Sequence, residues 1–256
     1  MLHKTTKGLA ILALTLVVAG DKYLAQKPDF LKPCKLTESG FDQCLAKGYQ
    51  IIFSEYKNGI PGLKGLGSID PLHVKRITIN EKGNNAISLN IVLSNVLLEG
   101  LRNTQVNEAN FDKSKYMTKA KYSLPDTTLK FDYEVEGRIL SLPMNGKGKG
   151  EMKIQNLKID VDLKFKLREE DGFKFTDVEN ARVLINDVGG FHFNLENLFN
   201  GQKDLENSAN ELLKTSWMEI FQTLRPSIRT TIQTILEDRF KKVFGHIPGT
   251  YFIEDL

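Results

Sequence analysis

The chain is short of the residues on which most site chemistry depends. Two cysteines in 256 residues exclude a disulfide-dense scaffold and a four-cysteine zinc site. The only histidines are His3, His73, His192 and His246. None stands in His-Glu-x-x-His or another metal-ligand spacing, so no metal and no cofactor is expected. A Gly-x-Ser-x-Gly elbow and a Walker loop are both missing, so no familiar nucleophile or phosphate cradle is in place. No apolar run reaches the ~20 residues that cross a bilayer as a helix, so stable membrane insertion is not expected. Neither sign of charge dominates: 35 Lys plus Arg stand against 32 Asp plus Glu, a net +3. A balance this even leaves no electrostatic footprint for nucleic acid. What is present is ordinary globular composition, 41% hydrophobic and 26% charged, enough to bury a core.

The apolar residues are unevenly spread. Met1 to Gly20 reads MLHKTTKGLAILALTLVVAG, with Lys4 and Lys7 at a basic start. An apolar run from Leu9 to Ala19 is broken only by Thr15, and Val18-Ala19-Gly20 are small residues before Asp21. This is the three-part pattern of a secretory signal peptide. It predicts a leader over residues 1–20 and a single domain over residues 21–256, with an uncleaved anchor or an amphipathic first helix as alternatives. The leader holds two lysines and no acid, so the mature charge falls from +3 to +1. There is no Asn-x-Ser/Thr sequon. Secretion puts Cys34 and Cys44 in an oxidising compartment, where so close a pair is expected to bond. Loop entropy then contributes roughly 2–3 kcal/mol.

Gly40 to Tyr56 has helical spacing, with Phe41, Leu45, Tyr49, Ile52 and Phe53 near one face. Asn58-Gly59-Ile60-Pro61-Gly62 ends it, and a glycine-rich loop runs to Asp70-Pro71. From His73 to about Leu195 the period becomes two. In Ala86–Leu93 the apolar set is Ile87, Leu89, Ile91 and Leu93. In Leu129–Ile139 it is Leu129, Phe131, Tyr133, Val135 and Ile139. In Leu157–Leu167 it is Leu157, Ile159, Val161, Leu163, Phe165 and Leu167. Phe173/Phe175 and Phe191/Phe193/Leu195 continue the habit. Such alternation predicts antiparallel strands with one apolar face and one wet face. Asp204 to about Phe244 then spaces its apolar residues by three or four, which is one stripe of a long helix. A straight helix of that length reaches about 60 Å, against about 45 Å across a compact globule of this size. Pro226 is expected to kink or break it. The predicted fold is α+β: a strongly curved antiparallel sheet wrapped around a long C-terminal helix in an elongated molecule. A compact β-sandwich with a detached helix is the alternative.

Polar clusters add little chemistry. Gly146-Lys-Gly-Lys-Gly150 is expected to be a flexible turn between strands, and Glu169-Glu170-Asp171 a solvated turn rather than an acid/base pair. Lys147, Lys149 and Lys153 form a basic face without interleaved aromatics. No enzyme is expected. A lipid-ester hydrolase would need a serine converging with His73 or His192. What remains is apolar surplus, either packed core throughout or the wall of an apolar tunnel suited to apolar ligands.

Several short motifs, in order, resemble the takeout and juvenile-hormone-binding family of secreted insect proteins. They are the two early cysteines, Gly59-Ile-Pro61, Ser68-Ile-Asp-Pro-Leu72 and Phe131-Asp-Tyr-Glu-Val-Glu-Gly-Arg-Ile-Leu140. Leu142-Pro143, Gly146-x-Gly148-x-Gly150 and Asn197-Leu-Phe-Asn-Gly201 follow, before a long helix carrying Trp217. The resemblance spans essentially the whole mature chain. It implies a tubular super-roll fold and a carrier of a hydrophobic ligand: juvenile hormone, a terpenoid, in one branch and fatty-acyl-like molecules in the takeout branch. It also implies links to feeding, circadian output and chemosensory physiology. Moth hormone carriers have a second disulfide, so a chain with only Cys34 and Cys44 sits nearer the takeout branch. A secreted, monomeric carrier follows as the expected function. An extracellular interaction protein with a packed tube, contacting a receptor, is the alternative.

The candidate ligand-binding residues come from the inward sets. They are Leu89, Ile91 and Leu93; Phe131, Tyr133 and Val135; Trp217 and Phe221 on the helix; and Phe53, expected to close one end. Tyr133 alone carries a polar tip. It either orients an ester, epoxide or carboxyl group or serves as a core tyrosine with a satisfied hydroxyl.

Overall fold

The computed structural model describes residues 22–81, 87–139 and 142–256. The expected leader Met1–Gly20, the expected strand start at Ala86 and motif residue Leu140 lie outside the described residues.

Helix α1 spans Phe41–Glu55. Seven strands follow: β1 (Leu72–Glu81), β2 (Ile87–Glu99), β3 (Gln105–Asp112), β4 (Met117–Ile139), β5 (Leu142–Glu170), β6 (Phe173–Asp187) and β7 (Gly190–Leu195). Helices α2 (Lys203–Thr215) and α3 (Trp217–His246) complete the chain. Among the described residues these seven strands pair antiparallel throughout, in the order β1-β2-β4-β5-β6 with β3 on β4 and β7 on β5, as the period-two alternation requires.

β4 and β5 form the spine. They pair from Met117↔Lys164 to Ile139↔Leu142. The free edge of β4 serves β3 along 117–123 and β2 along 128–139. The free edge of β5 serves β7 along 150–155 and β6 along 158–170. The sheet is therefore two half-sheets sharing one pair of long strands. Where they join, the Pro125–Asn156 position is left unpaired between Leu124↔Leu157 and Asp126↔Gln155, with the register the same on either side, and Asn156 takes φ 50°. Neither β2 nor β3 pairs with Pro125, so its missing N–H leaves no ladder bond unmade. The inward face changes parity at this joint. In β4 it passes from Ala120, Tyr122 and Leu124 to Phe131, Tyr133 and Val135; in β5 it passes from Met144 and Gly150 to Leu157, Ile159 and Val161.

Contour lengths explain the wrapping. The 29 residues of β5 run about 95 Å, whereas the 30 residues of α3 run about 45 Å. A twisted sheet with one apolar face and strands this long curls round the helix it covers. α3 also closes the seam between the sheet's open edges. Gln233 accepts the Val183 N–H of β6 at 3.3 Å and Arg225 donates to the Ile185 carbonyl. On the β1 side, Ser227 donates to Glu81 at 2.9 Å and Arg239 to the His73 carbonyl at 3.2 Å. Covering both edges protects backbone groups that would otherwise invite pairing with another chain.

Three sequence expectations are corrected. Of the kink or break expected at Pro226, the break falls instead at Ser216, and Pro226 lies inside the continuous α3. The two helical segments serve different surfaces: α2 buries Ala209 and Leu213 in the second half's core, and α3 follows the sheet. Packing of Leu224 and Ile228 on either side of the proline outweighs the one helical hydrogen bond it removes. Gly146-Lys-Gly-Lys-Gly150 is not a turn but the interior of β5. A Cβ at Gly146 would lie 2.1 Å from the Leu198 carbonyl oxygen, and one at Gly148 2.0 Å from that of Glu196. The glycines flatten the inward face so that the chain before α2 can lie on the strand. The polar turn expected over Glu169-Glu170-Asp171 is shorter than that: Glu169 and Glu170 end β5, paired with Lys174 and Phe173, and only Asp171-Gly172 turn the chain into β6.

Candidate functional site

The two halves of the interior are filled differently. In the half built from β3, β6 and the first part of β4, α1 and the C-terminal segment supply aromatics. Tyr49, Phe165 and Phe252 surround Phe244 with ring centroids 5.2–5.9 Å away. Cys34 and Cys44 are disulfide-bonded, with Cα atoms 5.9 Å apart, and tie the start of α1 to the preceding loop. The Cys34 strand segment bridges to Ile253, which anchors the tail beneath. Desolvation pushes the Tyr49 hydroxyl up to about 12, against a small opposing pull from its hydrogen bond to Thr118. Burial pushes Tyr122 up as well. This end is a dense aromatic plug.

The other half is not filled. An apolar cavity of about 300 Å³ lies between α3 and the inward faces of β1, β2, β4, β5 and β7. Along α3 its wall extends from Ile220 to Leu236, about 24 Å of helix. One helix presents a single stripe, whereas the sheet surrounds it on several sides. Aliphatic side chains from both do not meet across the gap.

Seven of the nine candidate ligand-binding residues line this cavity: Leu89, Ile91, Leu93, Phe131, Tyr133, Val135 and Phe221. Two do not. Phe53 on α1 packs against Tyr122 at 6.1 Å in the plugged half. Trp217 sits behind Phe191, 6.1 Å away, at the start of α3. Both are apolar residues on the correct face of their helix, but Trp217 stands behind the lining residue Phe191, and Phe53 belongs to the plugged half. The cavity also takes Phe191 and Phe193 from β7, Met144 and Met152 from β5, and Ile220, Leu224 and Ile228 from α3. The β7 phenylalanines show the same alternation in the sequence that marked β4. The aliphatic helix residues lie on the stripe that marked Phe221. Met144 and Met152 had only their even spacing from the glycines to mark them.

Polar atoms in the lining are few and committed. The Tyr133 hydroxyl donates to the Glu196 carbonyl at 2.9 Å, fixing the chain that lies on the glycine face. Desolvation pushes its pKa up to about 12, and the neighbouring carboxylates of Glu206 and Glu196 push the same way. Thr231 donates to the Ser227 carbonyl at 2.9 Å. Thr127 faces the Ile154 carbonyl at 3.5 Å. Behind this wall, Glu206 is buried at the start of α2. It accepts the Asn197 N–H at 2.5 Å and the Lys203 ammonium at 2.7 Å. The lysine, ahead of the backbone donor, holds its carboxyl below the usual range against desolvation.

Among the described residues no group of His, Cys, Asp or Glu side chains could hold a metal ion. Among them too, no helix is long and apolar enough to cross a membrane. Among the described residues the cavity lining is almost wholly apolar, a surface suited to enclosing hydrocarbon.

Comparison with known proteins agrees with that geometry. A family model described as haemolymph juvenile hormone binding protein matches residues 10–254. The circadian clock-controlled protein daywake of Drosophila melanogaster is 25% identical over 234 residues, covering 89% of this chain and 88% of its own. Its Drosophila yakuba counterpart is 24% identical over the same shares. The crystal structure of Epiphyas postvittana Takeout 1 superimposes with a TM-score of 0.74 at 23% identity, covering 86% of this chain and 98% of that one. That likeness establishes the fold.

Proposed function

Because the chain belongs to the haemolymph juvenile hormone binding protein family, we propose that it is a secreted carrier of one small hydrophobic ligand. The ligand is fatty-acyl or terpenoid, with juvenile hormone among the candidates, and it occupies the cavity between the sheet and α3. The cavity itself carries this proposal: a two-cluster core whose aliphatic half stays open along about 24 Å of helix. Each enclosed CH₂ stabilises a complex by about 0.8 kcal/mol. After association costs of several kcal/mol, a chain-like ligand binds in the micromolar to nanomolar range with no special polar contact. Met1–Gly20 acts as the leader, and the mature protein begins at Asp21 and works as an extracellular monomer. The clock-controlled relatives support a role in circadian physiology, with feeding and chemosensory roles beside it.

Protein secreted from insect cells is expected to start at Asp21 by N-terminal sequencing. Native mass spectrometry should then find copurifying lipid, and the delipidated protein should take up N-phenylnaphthylamine and release it to competing lipid. A lipid-free native spectrum together with no probe uptake would sink the carrier proposal.

A further inference from the structure

The cavity wall is selective as well as apolar. Among the described residues no charged side chain lines it, and its hydroxyls are Tyr133, Thr127 and Thr231. Tyr133 and Thr231 each spend their one proton on a backbone carbonyl at 2.9 Å, and Thr127 faces the Ile154 carbonyl. Thr127, with its long contact, is the one hydroxyl left to turn toward an anion, and a single neutral donor does not replace the water a carboxylate loses. The charges that act on Tyr133 are the carboxylates of Glu206 and Glu196, and the Lys203 ammonium behind the wall is already spent on Glu206 at 2.7 Å. A carboxylate moved into such a wall loses its water and gains at most one neutral donor, so it must take up a proton instead.

Resting on the carrier proposal above, we propose that the cavity selects uncharged ligands: an ester or other neutral lipid enters whole, whereas a fatty acid enters only as the protonated acid. Tyr133, the one titratable group in the lining, stays protonated because burial holds it near 12, so the pH response belongs to the ligand.

The test is displacement of N-phenylnaphthylamine from the delipidated protein by methyl laurate and by laurate. Both are used below their aggregation limits, across the pH range in which the melting temperature is constant. The ester is expected to bind about a hundredfold or more tightly than the acid near neutral pH, with an affinity independent of pH. The acid should gain about tenfold for each pH unit lost on the way down to its own pKa. Equal affinities near neutrality, or an acid affinity that ignores pH, would overturn the selectivity, because the carboxylate would then sit in water or against a cation. Failure of both ligands to displace the probe would instead bring down the carrier proposal on which it rests.

Discussion

Single residues decide how closely the chain before α2 can approach the sheet. Gly148 is the sharpest case, because a Cβ there would lie 2.0 Å from the backbone oxygen of Glu196, an atom that cannot swing away. Gly148→Ala is expected to destabilise the fold by about 1–3 kcal/mol through overpacking, measured by thermal or urea denaturation. It should also loosen the Tyr133–Glu196 contact. Glu206 holds the same segment from the other side. Its carboxyl is lowered in the folded state, so its contribution is fully present above the ordinary carboxylate pKa and is lost as pH falls through the folded value. Glu206→Gln should therefore melt at a lower temperature than the parent at neutral pH. The gap should close as pH drops below about 4; a constant gap across pH would refute the assignment. The sequence showed both regions, Gly146–Gly150 and Asn197–Gly201, as motifs. It could not show that one is the seat of the other, because nothing local links glycines in a strand to a loop nearly fifty residues later.

At the scale of elements, α3 does two jobs with two faces. Its apolar stripe forms one wall of the cavity, and its polar flank fastens both sheet edges. Arg239 is the main fastener on the β1 side, donating to the Leu66 carbonyl at 2.8 Å and to that of His73 at 3.2 Å. Arg239→Met keeps the aliphatic stem and removes the donors. It is expected to cost about 1.5–3 kcal/mol and to speed amide exchange in the loop before β1 and along β1, with the spine strands β4 and β5 unaffected. The helical and strand identities of these elements were legible, since periods of 3.6 and two are local properties. The position of the helix break was not. Pro226 is the residue that local rules single out, yet packing on both sides of it keeps α3 continuous, and the chain bends at Ser216 where its apolar face changes partners.

For the whole molecule, function rests on an imbalance of filling. α3 runs through both halves: its C-terminal end, with Phe244, joins α1 and the C-terminal segment in a cluster of aromatic rings that fills one half, whereas the other half receives the Ile220–Leu236 stretch of α3 and part of α2 and stays open. Adding volume to the open half should therefore remove binding without removing the fold. Leu93→Phe combined with Ile228→Phe, both in the cavity wall, is expected to abolish uptake of N-phenylnaphthylamine. The melting temperature should be retained or raised, because the added rings enter existing space. Loss of cooperative melting in that variant would mean the wall is tightly packed already. The sequence by itself determined that a one-faced antiparallel sheet must meet a one-striped long helix, because segregated apolar faces at two different periods have few other ways to leave water. It also marked seven cavity-lining positions through strand alternation and the helix stripe. Only the tertiary structure decided that Trp217 falls behind the wall and Phe53 in the plugged half, that inward parity changes at Pro125 and Asn156, and that space remains between sheet and helix. A void is the difference between a circumference and its contents. Those are supplied by strands and helices far apart in sequence, and no local pattern records whether their side chains meet.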